Sequence, residues 1–97
     1  MSSFSFNKIQ KKTWSVEMPD GSIIHIKNPT KADSDLLAMV LNSNDLDEIF
    51  SGVAYILSCN TEGKKFKQSD IDGLFDYADI QAFLNGYAEF LQSLSKN

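Results

Sequence analysis

Residues 13–27 read TWSVEMPDGSIIHIK, and this stretch decides how the rest of the chain must pack. Trp14, Val16 and Met18 alternate with polar residues, which is the two-residue period of a half-buried strand. In the Pro19-Asp20-Gly21 sequence, proline presets φ and glycine takes a left-handed conformation, so a tight turn and an isoleucine-rich return strand are predicted. Because a two-stranded hairpin is marginal in water on its own, this hairpin must pack against other elements.

The segments after the hairpin predict two helices that supply such a surface. Thr30 followed by Asp33 resembles a capping box and predicts a helix that ends near Leu41. Asn44 or Asp45 is the predicted cap of the second helix, and an interior glycine, Gly52, indicates close packing there. The apolar residues of these helices recur at helical spacing: Leu36, Leu37, Val40 and Leu41, then Leu46, Ile49, Phe50, Val53, Ile56 and Leu57.

The last third of the chain predicts two further helices. Ser69 with Asp72 predicts the start of a short third helix, and Asp76 with Asp79 predicts the cap of a final helix that runs to about Leu94. The third helix carries Ile71, Leu74 and Phe75. The apolar face of the final helix consists of Ile80, Phe83, Leu84, Tyr87, Leu91 and Leu94, widened by Ala88 and Phe90.

These elements predict an α+β, mainly α fold, with an N-terminal β-hairpin packed on a bundle of three to four helices. Residues 1–97 form a single domain in this prediction. Residues 1–11 are an arm or an extra strand, because Phe4 and Phe6 alternate with polar residues. Residues 12–27 are the hairpin, and residues 30–95 are the helical bundle.

Charge narrows the classes of function. The chain has a net charge of −4 and no arginine, since all nine basic residues are lysine. Nucleic-acid binding depends on basic patches, so we expect neither a nucleic-acid partner nor a membrane partner. Residues 1–31 hold five lysines and two acids, whereas residues 32–62 hold six acids and no lysine. This contrast either favours head-to-tail self-association or reflects ordinary solvated surface.

The sequence offers no catalytic, cofactor or metal motif. His25 is the only histidine and Cys59 the only cysteine, and neither has a neighbouring motif that would activate it. Asp70 and Asp72 imitate the start of a calcium loop, but Gly73 comes too early and no glutamate closes the loop. We therefore expect no catalytic residue, no metal site, no cofactor and no enzymatic activity.

Aromatic residues are the strongest functional signal. A domain of this length buries one modest core, which cannot hold every apolar side chain of the final helices. Tyrosine suits a surface groove because its body is apolar and its tip is polar. The residues expected to leave an apolar groove for an amphipathic helix are Tyr77, Phe83, Tyr87, Phe90 and Leu94.

Residues 12–94 resemble the small tail assembly chaperones of long-tailed bacteriophages. The resemblance is carried by the order of the elements and by three segments. These are Met18-Pro19-Asp20-Gly21, then Lys27-Asn28-Pro29-Thr30-Lys31, and the run DIDGLFDYADI at 70–80 that leads into an amphipathic helix. The family has no catalytic or ligand residues to carry over.

The resemblance implies a protein of the host cell cytoplasm that is not expected in the mature virion. Its partner would be the tape measure protein, an apolar helical client that such chaperones keep soluble before tail tube assembly. Many members of the family are also made in a longer, frameshifted form. Two alternatives remain open: a structural or adaptor subunit of the virion, in the tail or at head completion, and a small acidic inhibitor that binds another protein.

Overall fold

The fold is an N-terminal hairpin on a helical bundle, and a computed structural model describes residues 3–95 of it. The α+β, mainly α prediction is confirmed. A 3-10 turn at Phe6–Lys8 comes first in the chain. It is followed by β1 (Trp14–Glu17), β2 (Ile23–Ile26), α1 (Lys31–Leu41), α2 (Leu46–Ser58), α3 (Gln68–Leu74) and α4 (Tyr77–Ser95).

The hairpin forms as its alternation predicts. Trp14 pairs with Ile26 and Val16 with Ile24 on the face that packs against the helices, while Ser15 and Glu17 point outward. Gly21 has φ +88°, and the Met18 carbonyl accepts a hydrogen bond from its N–H at 2.8 Å. The Asp20 carboxylate closes the turn by accepting from the Ser22 N–H and hydroxyl.

The second edge of β2 is covered by the loop between α2 and α3. The Lys27 N–H donates to the Cys59 carbonyl at 2.8 Å, and the Thr61 N–H donates to the His25 carbonyl at 2.9 Å. Asn60, 2% exposed, holds this loop in shape. Its side-chain NH₂ group donates to the carbonyls of Leu57 and Lys64, and its side-chain oxygen accepts from the Lys64 N–H. The loop therefore joins the end of α2 to the hairpin.

Residues 3–11, which precede the hairpin, form an arm and not an extra strand, and residues 1–2 lie outside the described range. Within residues 3–11 the only regular element is the 3-10 turn at Phe6–Lys8. Phe4 and Phe6 pack edge to face, with ring centroids 4.7 Å apart, and are 71% and 75% exposed. Neither ring belongs to the core.

Three of the four helix starts follow the predicted caps. Thr30 and Asp33 form a capping box on α1, and the Asp45 carboxylate accepts from the Asp47 N–H at the start of α2. At α4, Asp76 and Asp79 each accept from the other's backbone N–H.

The predicted start of α3 at Ser69 is wrong, since α3 begins at Gln68 with Lys67 before it. The Asp70 carboxylate accepts from the Lys67 N–H at 2.9 Å. A lysine side chain has no hydrogen-bond acceptor, so Lys67 cannot accept a hydrogen bond from the first turn of α3 as Ser, Thr, Asn or Asp would. For this reason a sequence pattern based on those four residues does not identify Lys67 as the residue before α3.

The core lies where α2 meets the hairpin and α4. Gly52 is closely packed as predicted, because a Cβ at this position would collide with a methyl group of Val40 on α1. The buried apolar residues are Met18, Ile24, Ile26, Leu37, Val40, Ile49, Val53, Ala54, Ile56, Leu57, Ile71, Ile80, Leu84 and Tyr87.

Candidate functional site

Three of the four aromatic residues of α4 pack around a single residue of β1, Trp14. Its ring lies 5.4 Å from Phe83, 5.9 Å from Tyr87 and 6.0 Å from Phe90, measured between centroids. Gly86 makes room for this ring, because a Cβ there would lie 2.9 Å from Cζ2 of Trp14. The hairpin thus occupies most of the aromatic face that we expected to remain open.

The five predicted groove residues do not form one groove. Tyr87 is 1% exposed, so the expectation that its ring lies at the surface is wrong. Phe83 and Phe90 are half-buried against Trp14, and Leu94 lines a shallow depression beside Pro29 and Leu91. Tyr77 alone of the five is strongly exposed, at 52%.

Some apolar side chains do remain outside the core, as expected, but most of them belong to residues other than the five predicted. Leu41, Leu46 and Leu74, which belong to the apolar sets that the sequence predicts for their helices, are 53%, 55% and 45% exposed. Each stands at the end of a helix, where the neighbouring elements no longer cover the apolar stripe. These residues border two surface clefts that flank the first half of α4.

The first, the α1–α4 cleft, lies between the last turn of α1 and the first turns of α4. It has a volume of ≈ 180 Å³, and none of its lining residues is charged. The rim is formed by Leu41 and Tyr77, and the Tyr77 hydroxyl accepts from the Gln81 side chain at 3.2 Å. The complete lining is Val40, Leu41, Ser43, Ile49, Tyr77, Ile80, Gln81, Leu84 and Asn85.

The second, the α3 groove, runs past the end of α3 and has two parts of ≈ 380 and ≈ 260 Å³ that share Phe75. Its charged lining residues are all acidic: Glu17, Asp47, Asp72 and Asp79. Its other lining residues are Val16, Met18, Pro19, Leu46, Phe50, Leu57, Leu74, Phe75 and Phe83. The two clefts therefore differ: the α1–α4 cleft combines apolar with uncharged polar side chains, whereas the α3 groove combines apolar with acidic ones.

His25 has a partner that the sequence did not reveal. The Glu62 carboxylate binds the His25 ring Nδ1 at 2.6 Å and accepts from the His25 N–H at 2.9 Å. These hydrogen bonds lower the pKa of Glu62 to about 2. Since the two residues are 37 positions apart, only the pairing of the loop with β2 brings them together. The arrangement ties the loop to the hairpin.

Cys59 has the electrostatics of an unreactive thiol. Burial and the nearby Asp33 carboxylate raise its pKa, which disfavours the nucleophilic thiolate. The same carboxylate, together with Cys59, raises the pKa of Tyr55. These groups lie where the start of α1 faces the end of α2.

No group of three or more His, Cys, Asp or Glu side chains in residues 3–95 could hold a metal ion. None of the helices described in that range is both long and apolar enough to span a bilayer.

Comparison of the chain with family models, with curated proteins and with solved structures gives no match.

Proposed function

We propose that this protein is a phage tail assembly chaperone that binds the tape measure protein and keeps it soluble before tail tube assembly. The observation that carries the proposal is the α1–α4 cleft, an open cleft whose lining combines apolar side chains with uncharged polar ones. The order of the elements and the resemblance of residues 12–94 to the chaperone family supply the identity of the client. The site of action would be the host cell cytoplasm, before the virion is complete.

The chemistry of the α1–α4 cleft suits the apolar face of an amphipathic helix. Leu41 and Tyr77 stand half exposed on opposite walls, so a side chain inserted between them loses its contact with water on both sides. Such grooves bind apolar side chains that recur at helical spacing along the bound segment. Tyr77 and Gln81 add polar atoms at the rim, which direct the client without requiring a charge.

Weak binding by many copies fits the task better than tight binding by one. Many copies along one long client provide avidity, while each copy stays displaceable by tail tube subunits. The net charge of −4 on each copy would keep the coated client dispersed.

Co-expression with the tape measure protein of the same phage tests the proposal. We expect the client to move from the insoluble to the soluble fraction and to co-purify with this chain. A client that stays insoluble, with no complex recovered, would overturn the proposed function.

The exposed arm favours a second candidate function, that of a structural or adaptor subunit retained in the virion. Phe4 and Phe6 lie outside the core, as expected of a segment that anchors one subunit to another. Mass spectrometry of purified particles separates the two functions, because an adaptor is present in each virion and a chaperone is absent.

A further inference from the structure

We propose that the arm of one copy, residues 3–12, binds the α3 groove of a second copy. The proposal concerns a different surface from the α1–α4 cleft and does not depend on the proposed function. It rests on three observations: the composition of the arm, the composition of the groove, and the exposure of the arm's rings within one copy.

The arm combines exposed apolar rings with positive charge. Phe4, Phe6 and Ile9 are 71%, 75% and 46% exposed, and none of them packs against the core. Lys8, Lys11 and Lys12 are exposed beside them, and the segment contains no acidic residue. A phenylalanine side chain offers about 150 Å² or more of surface for burial, so this arm leaves a large apolar area in water.

The α3 groove offers the complementary surface. Phe75 lines both parts of the groove, Leu74 lines the larger part, and Leu46, which is 55% exposed, lines the smaller part. Glu17 and Asp72 lie at its border, and the remaining charged lining residues are acidic as well. An apolar segment with lysines at its flanks matches this groove in both polarity and charge.

The arm does not fill this groove within one chain, because its two phenylalanine rings contact each other and stay 71% and 75% exposed, and this favours a second copy as the partner. The arm leaves the body at Lys12, whose carbonyl accepts from Asn28, next to the residues that pair with the end of α2. Leu46 and Phe50, which line the groove, belong to the first turns of α2. The two ends of α2 are about 20 Å apart, so this part of the groove lies far from the arm, whereas the part lined by Val16 and Leu57 lies near the point where the arm leaves the body.

A contact of this kind is heterologous, because different surfaces of the two copies meet. Each added copy leaves one arm and one groove free, so short head-to-tail chains form as concentration rises.

Analytical ultracentrifugation of the full chain tests the proposal. We expect the average mass to rise between micromolar and about millimolar concentration, and to fall back in about 0.5 M salt, where the Debye length is about 4 Å. Phe4→Ser with Phe6→Ser should weaken association at least about tenfold. Met39→Ser, which removes a comparably exposed apolar residue from α1, should leave it unchanged.

A charge exchange identifies the two surfaces. Lys8→Glu with Lys11→Glu reverses the charge of the arm. Glu17→Lys with Asp72→Lys reverses the charge of the groove at two acidic residues that cap no helix. Each pair of changes should weaken association alone, and mixing the two variants should restore it. Unchanged thermal melting of the arm variants would show that they remain folded.

Three results would overturn the proposal. These are a wild-type chain that stays monomeric at about millimolar concentration, association that survives the loss of both phenylalanines, and a mixture of charge variants that associates no better than either variant alone. Binding of the wild-type monomer to anionic vesicles would assign the arm to a membrane surface and would likewise contradict it.

Discussion

Tyr77 and Tyr87 lie on the same helix, yet one ring is 52% exposed and the other 1%. Tyr87→Ala should lower the free energy of unfolding by about 3–5 kcal/mol, because it leaves a cavity beneath Trp14. Tyr77→Ala should change it by no more than about 0.5 kcal/mol. Urea denaturation of the two variants measures both values. Equal losses would contradict the assignment of Tyr87 to the core and Tyr77 to the surface.

Glu62 provides a prediction of pH dependence. Its pKa is lowered from the ordinary 4.5 to about 2 by its hydrogen bonds to His25. The stabilisation is present above pH 4.5 and is lost as the pH falls through about 2, where the folded-state carboxylate takes up a proton. Wild-type melting temperature should therefore fall across this window.

Glu62→Gln isolates the contribution of this carboxylate. The variant should have a lower melting temperature than the wild type at neutral pH. Its melting temperature should fall less than that of the wild type as the pH is lowered from 4.5 to about 2. Glu89→Gln, at an exposed glutamate on α4, is the control and should follow the wild-type curve. A Glu62→Gln curve that runs parallel to the wild type would show that the contact with His25 does not stabilise the fold.

Sequence patterns predict the burial of a side chain where the helical period alone determines it. They fail where an element distant in sequence covers that side chain. The stripe of α4 correctly places Ile80 and Leu84 in the core. It cannot show that Trp14, more than 60 residues away, covers Phe83 and Phe90. An interior glycine between those two aromatics, Gly86, was the one local sign of a close neighbour, and its meaning depends on knowing which ring approaches it.

At the scale of the elements, the hairpin and the caps of α1, α2 and α4 were predictable because each depends on residues within four positions. The exposure of Leu41, Leu46 and Leu74 was not, since all three satisfy the helical period. They are exposed because helix ends project beyond their neighbours, which is a property of the packing. The same projections create the two clefts.

The crossing of α1 and α2 makes an element-scale prediction. Gly52→Ala should lower the free energy of unfolding by about 1–3 kcal/mol, because the new Cβ meets Val40 of α1. Gly73→Ala is the matched control, with open space around its Cβ, and should raise stability by up to about 1 kcal/mol. Thermal or urea denaturation compares them. A stabilised Gly52→Ala variant would mean that the helices separate easily at this crossing.

At the scale of the whole molecule, charge and apolar surface are separated in space. The lysine-flanked arm leaves the body where α2 ends, and the acid-lined α3 groove begins where α2 begins. The uncharged α1–α4 cleft opens beside the start of α4. Composition predicted an acidic body with a basic front, but which face each charge lines depends on how the helices pack.

The measurement that tests the central claim most directly is the amount of soluble tape measure protein recovered on co-expression with a cleft variant. Leu41→Ser with Tyr77→Ala removes both exposed walls of the α1–α4 cleft, and Ile23→Thr removes an equally exposed apolar residue elsewhere. We expect the double variant to remain folded and to recover at least about tenfold less complex, and Ile23→Thr to match the wild type. A folded double variant that solubilises the client as well as the wild type would contradict the account.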